Sequence, residues 1–91
     1  MKVIWTDGAV EDLTEIVEYI KRDSPEAARR LAKHIFEKAL SLGSMPRGHK
    51  RKPDGAWELL MVPWPYVLVY EIVSDAVLLE GVRHASRDTR Q

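Results

Sequence analysis

The sequence predicts an α+β fold: a short N-terminal strand, then a two-helix hairpin packed on an antiparallel, twisted sheet of three to four strands. Three observations predict it. Between Ala9 and Leu40, apolar residues recur at three- and four-residue steps, the period of amphipathic helices. From Ala56 onward the period falls to two, interrupted by short polar or proline-rich turns. The chain has 91 residues, 45% of them hydrophobic, which is enough for one core and too few for two, so residues 1–91 read as a single domain.

Each element has a local cause. Lys2 to Thr6 is short and β-rich, a first strand. Thr6 or Asp7 can cap the helix that follows, with Glu11 and Asp12 near its positive end. Ala9, Leu13, Ile16, Val17 and Ile20 share its apolar face, and the helix is expected to end near Arg22-Asp23. Ser24-Pro25-Glu26 starts a second helix, with serine as the cap and proline in the first turn. Ala28, Leu31, Ala32, Ile35, Phe36, Ala39 and Leu40 form its stripe, and Gly43 is the stop. Ser44 to Gly55 has no period and reads as a loop. Ala56–Val62, Tyr66–Val73 and Ala76–Arg83 read as strands of a meander, joined by Pro63-Trp64-Pro65 and Ser74-Asp75. Tyr66 to Tyr70 is apolar on both faces, so its strand is expected to lie centrally.

Composition excludes several classes of function. There is no cysteine, hence no disulfide framework, thiolate metal site or cysteine nucleophile. His34 stands apart from any ligand spacing and reads as a surface or boundary residue of the second helix, so neither a metal nor a cofactor is expected. No apolar run approaches the roughly 18–20 residues that span a bilayer, and the N-terminus turns acidic at Asp7; no membrane association and a cytoplasmic location are expected. The 14 basic and 14 acidic residues cancel overall but not locally. From Ser41 to Trp57 there are four basic residues, Arg47, Lys50, Arg51 and Lys52, against Asp54 alone. With Arg83, Arg87 and Arg90 near the end of the chain, they suggest one positively charged rim for an anionic guest, either a polynucleotide or an acidic peptide.

Particular residues carry a likeness. Ala9, Asp12-Leu13, Ile16, Tyr19-Ile20 and Ser24-Pro25-Glu26-Ala27-Ala28, then Gly48-His49-Lys50-Arg51, Trp64 to Tyr70 and Val82 to Asp88, follow in order along essentially the whole chain. Together they resemble the RelE/ParE superfamily of bacterial type II toxins. The resemblance implies a growth-inhibiting toxin associated with plasmid stabilisation, neutralised by a cognate antitoxin and capable of assembling with it as a heterotetramer. It implies one of two targets: mRNA in the ribosome, cut by RelE-type members, or DNA gyrase, poisoned by ParE-type members without hydrolysis. An inactive binding module of the same fold is a third outcome.

RNA cleavage at a 2′-hydroxyl needs a base, an acid for the leaving oxygen and cations for the phosphorane. His84 and His49 are the acid/base candidates, and Arg83 the cation beside them. Arg47, Lys50, Arg51, Lys52, Arg87 and Arg90 are candidates for binding nucleic acid or antitoxin. Each has a plainer reading: His84 caps the sheet, His49 is a solvated loop residue, and the cations are ordinary surface. Three positions depart from the RelE pattern. Val67 stands where those enzymes carry an arginine in the central strand, Trp57 replaces an arginine before Glu58-Leu59, and the tail lacks a tyrosine. These departures favour the ParE-like mode. Trp5, Trp57 and Trp64 read as core or turn packing, the alternative for Trp64, between prolines in its turn, being an exposed indole that stacks on a base or anchors a partner.

Overall fold

The computed structural model describes residues 1–47 and 49–87. Strand β1 (Lys2–Trp5) leads into helices α1 (Asp7–Lys21) and α2 (Pro25–Ser41). Strands β2 (Lys50–Arg51), β3 (Trp57–Leu60), β4 (Tyr66–Val73) and β5 (Ala76–His84) follow, then a 3₁₀ turn at Ala85–Arg87. The architecture is α+β, as expected. Both helix starts follow from the predicted caps: Thr6 Oγ1 accepts from the Ala9 amide at 3.2 Å, and Ser24 Oγ accepts from the Ala27 amide at 3.1 Å. The Thr6 hydroxyl also donates to the Leu79 carbonyl at 2.6 Å, so the start of α1 is pinned to β5.

The sheet differs from expectation in two ways. It has five strands in the order β1-β5-β4-β3-β2, and it is mixed, because β1 runs parallel to β5 with Lys2 opposite Ala76 and Trp5 opposite Leu79. The intervening helices carry the chain far enough for a parallel return, which a tight hairpin does not allow. The extra strand lies inside the segment read as a loop: Lys50 pairs with Glu58 and Arg51 with Trp57. Two residues are too few to show a period. The turn before β3 is closed by Lys52 N–H to the Ala56 carbonyl at 2.7 Å, and by Asp54 Oδ1, which accepts from the Ala56 amide at 3.0 Å. Gly55 sits there at φ 97°, a conformation L side chains rarely adopt. Strand β4 is central, as its two apolar faces require.

The helices cover one face of the sheet. Leu13 of α1 and Leu31, Ile35 and Ala39 of α2 meet Leu59, Leu68, Tyr70, Val77, Leu79 and Val82 in a single core. Phe36 and Leu40 lie outside it, at 52% and 75% exposed, although their spacing places them on the α2 stripe. The stripe is wider than the sheet can cover, and Phe36 instead packs against Trp5 at the margin, with ring centroids 5.2 Å apart. Trp57 and Trp64 are half-buried and pack against the core, as the packing reading of both expects.

Where β5 passes α1, the ladder shifts register between Val69 and Tyr70. Asp12 of α1 meets this irregularity, its carboxylate accepting from the Val82 amide at 3.0 Å. A Cβ on Gly81 would lie 2.8 Å from that carboxylate, so helix and bulge approach closely only because residue 81 has no side chain.

Candidate functional site

The face of the sheet away from the helices carries an ion-paired cluster. Residues opposite one another across antiparallel strands share a face, so the register groups Lys50, Glu58 and Val69, and likewise Leu60, Val67 and Arg83. Glu58 is the hub: Arg83 donates a hydrogen bond to its Oε2, and Lys52 Nζ lies 3.4 Å from the same oxygen. The Glu58 side chain is only 10% exposed. Burial opposes its charge, but the Arg83 hydrogen bond and the charges of Arg83 and Lys52 outweigh that opposition and hold the carboxyl below its ordinary range. His49, Lys50, Glu58, Leu59, Leu60 and Val67 line a shallow groove here.

His84 belongs to the other side. It pairs with Tyr66, which faces the helices, and its ring meets the Tyr66 ring edge-on with centroids 5.3 Å apart. Successive strand residues point to opposite faces, so Arg83 and His84 are separated by the sheet itself. The Ser86 amide donates to His84 Nδ1 at 3.1 Å, and Ser86 Oγ lies 2.7 Å from the same nitrogen. The Nδ1 atom thus serves as an acceptor, and the proton of the neutral ring sits on Nε2. This arrangement closes the end of β5.

The basic segment is divided in the same way. Arg51 pairs with Trp57 on the helix-facing side, and its guanidinium sits 5.6 Å from the indole centroid. Arg47 and Arg51 line a second cleft with Asp54, Trp57 and Glu71, where carboxylates offset the cations. Lys50 and Lys52 remain on the open face with Arg83. The expected single rim is therefore two separate clefts, because alternation along β2 sends neighbouring cations apart. Arg90 and the side chain of Arg87 lie outside the described residues. His34 is half-buried, with Nε2 shielded from solvent and unpartnered among the described residues. Among the described residues no three of His, Cys, Asp and Glu gather as metal ligands.

Sequence reading missed Glu58, although its place two residues into a strand facing alternating lysines was a usable signal. It also missed the carboxylate neighbourhood of Glu71, Glu80 and Asp54. Burial, the Glu71 hydrogen bond and the negative charges of Glu71 and Asp54 push the Glu80 carboxyl up. Nothing in the local pattern around Glu80 announces those neighbours, which come from β4 and from the β2–β3 turn.

The site thus lies on the open, ion-paired face of a small mixed sheet whose other face carries a helical hairpin. Residues 3–89 match the family model for the ParE toxin of the type II toxin–antitoxin system parDE, and the chain belongs to that family. It is 38% identical over 86 residues to Toxin RelE2 of Caulobacter vibrioides, covering 94% of this chain and 97% of the relative. Its fold is similar to a structure titled as the chromosomal ParDE TA system from P. aeruginosa, with TM-score 0.81 and 23% identity over 92% of this chain and 95% of that one. Among the described residues no helix is long and apolar enough to cross a membrane.

Proposed function

We propose that this toxin arrests growth by a ParE-like, non-hydrolytic action on DNA gyrase in the cytoplasm, and that a cognate antitoxin neutralises it. One observation carries the choice of mode. His84 faces the helices while Arg83 faces the open sheet, with its guanidinium already engaged by Glu58. An RNase needs its acid, its base and a free phosphate-binding cation around one scissile bond, and His84 and Arg83, the two candidates at the end of β5, stand on opposite sides of the sheet. Val67 and Leu60 add only apolar surface beside Arg83.

The family supplies the antitoxin. The exposed apolar side chains of Tyr19, Phe36, Leu40 and Met45 are the kind of surface such a partner covers, and the heterotetramer is the assembly to look for. A second reading, the ribosome-dependent mRNA endonuclease, draws on the groove that His49 and Lys50 share with Glu58.

Induction of the chain without antitoxin separates the two readings. Gyrase poisoning predicts filamentation and DNA damage, inhibition of supercoiling by purified gyrase, and His84→Ala as toxic as the parent. Cut transcripts with intact supercoiling would replace this reading with the endonuclease.

A further inference from the structure

The open face holds three cations around one carboxylate. Lys50 lies directly across β2–β3 from Glu58, Lys52 reaches it at 3.4 Å, and Arg83 hydrogen-bonds to it from β5. The Arg83 and Lys52 side chains are 27% and 21% exposed, so these pairs are only partly screened by water. Leu60, Val67 and Val69 surround them with apolar surface. A phosphodiester arriving here meets Arg83 and Lys52 already paired with Glu58. Displacing the carboxylate would leave it beside the phosphate, because the Glu58 side chain is only 10% exposed and its backbone is paired on both sides.

We infer that Glu58 sets the ligand class of this face: it is an internal counter-anion that makes the face reject phosphodiester chains, and without it Lys50, Lys52 and Arg83 would form a polynucleotide-binding surface. This goes beyond the gyrase reading and is opposed to the endonuclease reading, which needs RNA to bind in the groove where Glu58 would turn it away.

The probe is a fluorescein-labelled single-stranded oligoribonucleotide, followed by anisotropy over a salt series with the full chain. Glu58→Gln is expected to bind at least about tenfold more tightly than the parent at low salt. Its log–log salt slope is expected to steepen by about 0.7 for each phosphate newly neutralised. Adding Arg83→Gln to that variant is expected to reverse most of the gain. Glu26→Gln, at an exposed position in the first turn of α2, raises net charge equally and is expected to change affinity less than twofold, as a screened remote charge should. Glu58→Met, of similar length and without charge, carries the same test if the glutamine variant does not fold. Equal binding by the parent and the folded Glu58 variant would overturn the inference, as would an equal gain from Glu26→Gln.

Discussion

The hydroxyl of Tyr70, at the centre of the sheet, donates to the backbone carbonyl of Pro46 at 2.7 Å, in a region closed to solvent. This bond ties the segment after α2 to the core, since Tyr70 is fully buried and Trp57 stacks beside it with ring centroids 6.3 Å apart. Tyr70→Phe leaves the Pro46 carbonyl buried without that donor and is expected to cost about 1–3 kcal/mol in denaturant unfolding. Faster amide exchange in the segment after α2 would accompany the loss, and unchanged stability would remove the anchoring role.

The same phenol sets an alkaline limit. Burial pushes Tyr70 up to about 12 from the ordinary 10.0. The unfolded chain releases this proton first, so the contribution is fully present below the ordinary value and is lost as pH rises towards 12. Melting temperature is expected to fall over that window, and less steeply in Tyr70→Phe.

Glu58 sets an acid limit of opposite sign. Its folded carboxyl lies below the ordinary 4.5, so its contribution is present above that value and is lost as pH falls through the folded one. Glu58→Gln should therefore narrow the stability difference between neutral and acid pH. Identical acid profiles for parent and variant would mean that the pairs with Arg83 and Lys52 are energetically idle.

Glu80 behaves in reverse. Burial and the adjacent Glu71 raise its carboxyl, so the folded state holds this proton more tightly than the unfolded chain, and stability is lost as pH rises through the folded value. At neutral pH the two carboxylates repel. Glu71→Gln is expected to raise the melting temperature by about 1–5 °C there, with the gain fading towards acid pH. A drop in melting temperature at neutral pH would contradict it.

Asp12 and Gly81 form a coupled pair. Gly81→Ala places a methyl 2.8 Å from Asp12 Oδ2, which must shift, and Asp12→Ala removes the acceptor of the Val82 amide. Each change is expected to cost about 1–3 kcal/mol, the first by displacing the acceptor and the second by deleting it. Because both lose the same bond, the double variant is expected to cost clearly less than their sum. Additive costs would mean that the two sites act independently.

Local pattern determined most of the architecture. The caps at Thr6 and Ser24, the two apolar stripes and the central position of Tyr66–Val73 all follow from chemistry within a few residues of each site. The likeness carried by ordered segments along the chain identified the superfamily. Tertiary structure alone decided the parallel pairing of β1 with β5, the two-residue strand at Lys50–Arg51 and the exposure of Phe36 and Leu40. It also decided that Arg83 and His84, neighbours in sequence, serve opposite faces, and that Arg83 and Lys52 converge on Glu58. Periodicity tells which residues share a face of one element. Which element lies against that face depends on strand order and register, and the partners that decide the electrostatics of this site come from strands distant in sequence.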